Sequence, residues 1–232
     1  MPALLLALAL AASPAPARPA ASRASPAPGS RVVEEIVAVV RNPASAPPRV
    51  VTLTKLTEEA RIALVSRGAS AAATGPLDAE ALRAALDWLL DQMLLADDAA
   101  RLRVDEVPRE DVLGELRRFR AQLPGPQEYA RFLRESELTE DELLVTLGRM
   151  VRVQRYVASR VGRAARVPDD EVERWLRERG AAGASAPARE AARAQIADER
   201  TRAQVKELIA ELRARADIRI VSAPRDAGEG GP

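Results

Sequence analysis

The residues of this 232-residue chain that could carry chemistry are few, and most are carboxylates. Four acidic pairs stand out: Asp97-Asp98, Asp105-Glu106, Glu110-Asp111 and Asp169-Asp170. Two carboxylates side by side can share acid–base work in a hydrolysis, or hold a hard cation through oxygen. All four pairs fall at the ends of predicted helices, where acids cap backbone groups and stay solvated, and that is the role expected of them. The chain has no Cys and no His. Cysteine nucleophiles, Ser-His-Asp triads, His or Cys metal sites and disulfides are therefore excluded. Gly228, Gly230 and Gly231 lie in the C-terminal tail, with no strand before them and no helix after, so they do not form a phosphate loop. No catalytic residue, cofactor or metal ligand is assigned, and the expectation is a binder and not an enzyme.

A second group of side chains suits binding. Trp88, Met93, Phe119, Leu123, Tyr129, Phe132, Met150 and Tyr156 are aromatic or flexible and apolar, the types that accept unfolded apolar segments in no fixed register. Taken singly, such residues are more often core. The stretch from Phe119 to Leu133 is expected to be exposed, because Pro124-Gly125-Pro126 breaks it into a corner. The candidate peptide-binding residues are Met93, Phe119, Leu123, Tyr129, Phe132 and Met150.

Composition sets what must position them. Apolar residues make up 47% of the chain and aromatics 3%, so a core must be built from Leu, Val, Ile and Ala. Lys+Arg is 35 against Asp+Glu 34, a formal net charge of +1, which lacks the clustered positive charge of a nucleic-acid binder. Lys55 and Lys206 are the only lysines.

The longest amphipathic stretch runs from Thr139 to Arg163. Thr139 with Glu142 three residues on reads as a capping box, and Leu143, Leu147, Met150, Val157 and Val161 recur at helical spacing. Acids fill its first turn, and Arg149, Arg152, Arg155, Arg160 and Arg163 fill the rest, an order the helix dipole favours. That Arg face is expected to be a solvated surface. Other predicted helices run from Thr57 to Gly68, from Asp78 to about Arg103, from Pro108 to Leu123, through Tyr129-Phe132-Leu133, from Val167 to about Gly180, and from Ala188 to Ala216. Strands are predicted at 32–40, 49–53 and 217–221, where β-branched residues cluster or alternate. Residues 42–48, 69–76 and 181–187 read as loops.

The ends read differently. Residues 4–12 are a short Ala/Leu run, too short to span a membrane, followed by small residues with Ala15-Pro16-Ala17 as a cleavage-type triplet. Residues 1–17 are expected to be a signal peptide, 18–30 a Pro/Ala-rich linker, 31–222 one domain, and 223–232 a disordered tail.

In this order the pieces resemble the SurA-type periplasmic chaperone family, which is related to the trigger-factor peptide-binding module. Four stretches carry the likeness: the strand from Val32 to Val40, the Leu-rich segment from Ala81 to Leu95, the long helix from Thr139 ending in Val167-Pro168, and the last helix closing on Ala216-Asp217-Ile218-Arg219-Ile220. The family normally carries one or two parvulin-type isomerase domains between the Val-Pro helix and the last helix. Here that slot is Gly180 to Pro187, and the His residues of parvulin sites are missing. The resemblance implies a mainly α fold with a small β-sheet, a multi-helix peptide-binding domain closed by pairing of its first and last strands. It implies a periplasmic, ATP-independent holdase for unfolded outer-membrane or secreted proteins, without prolyl isomerase activity. The expected partners are unfolded polypeptides, outer-membrane protein precursors among them, with no nucleic acid and no stable membrane insertion. The alternative is a non-catalytic helical scaffold or assembly subunit with one folded partner.

Overall fold

The computed structural model describes residues 34–43, 45–102, 107–162, 166–181 and 183–223. The expected leader, the linker, the tail beyond residue 223 and the pair Asp105-Glu106 lie outside the described residues. The fold is mainly α with a small antiparallel sheet. Two strands come first, β1 (Ile36–Asn42) and β2 (Ser45–Thr52). Eight helices follow among the described residues: α1 (Leu53–Ser66), α2 (Ser70–Ala73), α3 (Ala79–Arg101), α4 (Arg109–Ala121), α5 (Pro126–Glu135), α6 (Glu140–Val161), α7 (Asp169–Glu178) and α8 (Ala186–Arg215). The chain then returns to the sheet as β3 (Asp217–Ile220). None of the described helices is long and apolar enough to cross a membrane.

Local chemistry explains most boundaries. Asp78 accepts from the Ala81 N–H and starts α3. At α6 the expected capping box is present: the Thr139 hydroxyl accepts from the Glu142 N–H, and the Glu142 carboxylate accepts from the Thr139 N–H at 2.8 Å. Gly68 and Gly180 end α1 and α7 with φ of 82° and 72°. Each lets the next residue's N–H bond back to a free carbonyl, Ala69 to Leu64 and Ala181 to Leu176, both at 2.9 Å. Glu137 does the same for α5 at φ 51°, a conformation that strains a side chain other than glycine's.

Several elements differ from expectation: the loop expected at 69–76 holds the short helix α2, and residues 34 and 35, expected in the first strand, precede β1. The helix expected at Thr57 begins at Leu53, because Thr52 is both the last strand residue and the N-cap, accepting from the Lys55 N–H. Thr57 instead turns its hydroxyl back to the Leu53 carbonyl. The loop expected at 42–48 is mostly strand: β2 runs through Pro47 and Pro48. Proline is tolerated there because β2 is an edge strand, with order β2-β1-β3. The pairing of β1 with β3 is antiparallel, with Val39 opposite Arg219 and Arg41 opposite Asp217.

The helices and the inner sheet face enclose two cores. One gathers Val37, Ala38, Val40 and Val51 from the sheet, Leu56 of α1, Leu82, Leu86, Leu90 and Leu94 of α3, Tyr156 of α6, and Leu208 and Leu212 of α8. The other holds Ile62 and Val65 of α1, Leu116 and Phe119 of α4, Tyr129 and Phe132 of α5, and Leu143 and Leu147 of α6. Helices α1 and α6 contribute to both, which fuses them into one body. A third, separate cluster lies elsewhere: Val167, Val172 and Leu176 pack on Ala192 and Ile196. It ties α7 to the front half of α8. At 1.5 Å per residue α8 is roughly 45 Å long, so its C-terminal half rests on the body while its N-terminal half carries this outlying hairpin.

Candidate functional site

The six residues expected to bind peptide do not form an open groove. Phe119 and Phe132 are 1% and 0% exposed and meet edge to face, ring centroids 5.4 Å apart. Leu123 and Tyr129 join them in the second core, and Met150 packs against it half-buried. Met93 is buried in the first core. The expectation of an exposed corner from Phe119 to Leu133 is thus corrected. The break at Pro124-Gly125-Pro126 folds α5 back so that its apolar face closes on α4 and α6 instead of facing solvent. With α4, α5 and α6 packed together by these rings, Phe119, Leu123, Tyr129 and Phe132 are core residues.

What stays open lies one helix away. Ala60, Ala63 and Leu64 of α1 and its C-cap Arg67 recur at helical spacing, and Ala81, Ala84, Ala85 and Trp88 repeat the same spacing on α3. Two small-residue faces opposed in this way cannot fill the space between their helices. The result is an apolar pocket floored by Leu77, with a volume of ≈ 40 Å³. That is well below the ~150 Å³ of cavities that take benzene, so it fits an aliphatic side-chain tip and not a drug-sized ligand. Arg67 and Trp88 stand at its rim, the guanidinium 5.5 Å from the ring centroid, a cation–π contact. Burial lowers the Arg67 pKa from its usual value, though a guanidinium stays charged at any ordinary pH. Trp88 belonged to the aromatic group marked in the sequence. The remaining lining residues carried a readable signal: Ala81, Ala84 and Ala85 spaced i, i+3, i+4 before Trp88, and Ala60 and Ala63 at the matching positions of α1.

Among the described acidic pairs, Glu110-Asp111 and Asp169-Asp170 sit in the first turns of α4 and α7 as expected, whereas Asp97-Asp98, near the end of α3, is buried. Asp97 is 8% exposed and accepts from Asn42 at 2.9 Å and from Arg49 at 2.5 Å, clamping α3 to both first strands. Asp98 is 4% exposed and accepts from Arg101 at 2.7 Å and from the Tyr156 hydroxyl. Burial would raise the Asp98 carboxyl, but the hydrogen bonds from Tyr156 and Arg101, with the charges of Arg101 and Arg160, outweigh it and hold the carboxyl below its usual range. Burial and the bond to Asp98 push the Tyr156 phenol up to about 12. Asp111 pairs with Arg155, and Asp169 with Arg193, at the surface. A further buried carboxylate, Glu59, is not among the acidic pairs singled out above. It is 0% exposed in α1, held by Arg149 at 2.5 Å, by Lys55 at 3.4 Å, and by the Thr146 hydroxyl at 3.4 Å. The Arg face of α6 is therefore not merely solvated, since Arg149 turns inward to this carboxylate and Arg155 reaches α4.

No family model, no curated protein and no solved structure matches this chain.

Proposed function

We propose that this protein is an ATP-independent holdase of the SurA type, without an isomerase domain, acting on unfolded polypeptides in the periplasm. One observation carries the reading: an open apolar pocket between two small-residue helix faces, α1 and α3, with Trp88 and Arg67 at its rim. Such a pocket takes one apolar side chain at a time, without demanding a sequence around it. Binding of this kind is weak per site and broad in range, as a holdase needs. The rest is supported by the order of the elements and by the short turn between α7 and α8, where the family normally carries its isomerase domain. The leader at residues 1–17 supports export. Release then rests on modest affinity and on the client folding elsewhere, because the sequence offers no phosphate loop for ATP.

The test is light scattering of several unrelated urea-diluted barrel proteins at rising ratios of this protein. Suppressed aggregation of all of them is expected. Ala84→Leu, which fills the pocket from its half-buried wall with a side chain of the size it takes, should weaken suppression while leaving the melting curve in place. No suppression, together with one stable partner on pulldown, would overturn the holdase in favour of a scaffold with a single folded partner. Prolyl isomerisation of a test peptide should stay at the uncatalysed rate.

A further inference from the structure

Four of the six exposed large hydrophobic residues among those described, Ile36, Val50, Ile220 and Val221, lie in or beside the small sheet. Its two edges differ. The β2 edge carries Pro47 and Pro48, which lack the N–H a further strand would need. The β3 edge carries no proline and has no strand beyond it among the described residues.

The hydrogen-bond parity of that edge is readable. Val221 donates to the Val37 carbonyl at 2.9 Å, and in the same register Arg219 and Asp217 sit opposite Val39 and Arg41. Antiparallel strands alternate hydrogen-bonded and non-hydrogen-bonded pairs. The backbone groups of 217, 219 and 221 therefore turn toward β1, and those of Ile218 and Ile220 turn outward, away from the sheet. The outer face beside them forms an open recess lined by Val39, Arg41, Asp217, Arg219 and Val221. Asp217 reaches Arg41 at only 3.9 Å, with both side chains about 70% exposed, and Arg219 makes no ion pair among the described residues.

The geometry points to a second copy of this chain as the occupant of the β3 edge. Two β3 strands meet antiparallel about a two-fold axis at Ile218, extending two three-stranded sheets into one of six strands. In this register the two Ile218 residues exchange both backbone bonds, and each Ile220 N–H reaches the Ala216 carbonyl of the other copy. Each Arg219 then lies opposite the other copy's Asp217, giving two cross-strand ion pairs and a charge row Arg41–Asp217–Arg219 across the seam. Centring on Arg219 would set Arg against Arg, which cross-strand pairing disfavours. Centring on Ile220 would set Arg219 against Val221 and leave both charges unmatched. A four-residue strand buries less than the ~800 Å² per partner of a stable complex, so the dimer is weak, and salt weakens it further. This inference is independent of the holdase reading.

Sedimentation equilibrium across a wide concentration range tests it. The wild type should associate reversibly. Asp217→Arg and Arg219→Asp, each alone, should weaken association by roughly tenfold, because every dimer then carries two like-charge pairs. Mixing the two single variants should restore it, since each then meets its opposite, and so should the double exchange in one chain. Ile220→Pro removes only an outward N–H, keeps the β1 ladder, and should abolish association with an unchanged melting curve, which covers the case of a charge variant that folds poorly. A wild type that stays monomeric throughout, charge variants that associate as well as wild type, or a mixture no tighter than its parts overturns the proposal. A monomer that instead takes up an unrelated extended peptide at this edge overturns it too.

Discussion

The body and the outlying hairpin solve the same problem, covering an amphipathic helix, by different means. In the body, helices from opposite ends of the chain bury large side chains in two fused cores, and acids inside those cores are held by arginines from distant elements: Asp97 by Arg49, Glu59 by Arg149. In the hairpin, α7 packs on one half of α8 over five buried residues. Its charged pairs Arg193 with Asp169 and Arg174 with Asp170 lie at the surface, and Arg200 with Glu171 is only part-buried. Buried pairs cannot lose one partner without stranding a charge, whereas surface pairs fall back on water. The body should therefore unfold as one unit, and the hairpin should be able to open without it.

The largest effect expected is from Phe132→Ala. The ring is fully buried against Phe119, so its removal should cost about 4 kcal/mol and lower the melting temperature of the whole body. A near-neutral result would mean that the second core is not part of the cooperative unit. Next is deletion of 217–232, which removes β3 and its ladder to β1. At ~0.5–1.5 kcal/mol per hydrogen bond, with the packing of Ile218 against the first core lost as well, the body should lose roughly 3 kcal/mol. If chemical denaturation shows no loss, the sheet does not fasten the chain end to the core. Smaller in reach is Ile196→Ala, on the order of 2 kcal/mol. It should speed amide exchange in 169–200 and leave exchange in the two cores unchanged. A matching loss of protection in the body would dissolve the distinction between the two regions.

The smallest effect concerns pH. Folded Tyr156 keeps its proton up to about 12, while the unfolded side chain releases it near 10. Between those values the unfolded state binds fewer protons, so the stability present below pH ~10 is lost as pH rises toward ~12. Tyr129, raised by burial and by its bond to Glu140, adds to the same limb. Tyr156→Phe should flatten part of the alkaline fall in body stability, measured by denaturant midpoint against pH. An unchanged slope would show that Tyr156 ionises as freely folded as unfolded. The hairpin has no tyrosine, so its local opening should not follow this limb.

How much of this was legible follows from the range of each interaction. Helices α3 and α6 start where Asp78 and Thr139 announce them, because a cap acts within three residues and leaves its mark in the sequence. The break before α5 and the strand at 217–220 are equally local. The start expected at Thr57 falls four residues late, since the cap of α1 is Thr52. Thr52 prevailed through the pairing of Ile36 with Thr52, a contact between strands that no local pattern records. For the candidate site the loss was larger. Helical spacing marks Phe119, Tyr129 and Phe132 as one apolar face but does not say whether another helix covers it.

What the sequence determined by itself is therefore the inventory: a helical chain with a small sheet, no Cys or His chemistry, helix ends set by their caps, and apolar faces of the right period. What the tertiary structure decided is the pairing of those faces. It spent the aromatic residues of α4 and α5 on a core and left open the Ala-lined gap between α1 and α3. It also drew Asp97, Asp98 and Glu59 inside, against partners up to 90 residues away. Periodicity is a property of one helix, while burial is a property of two, and only packing chooses the second.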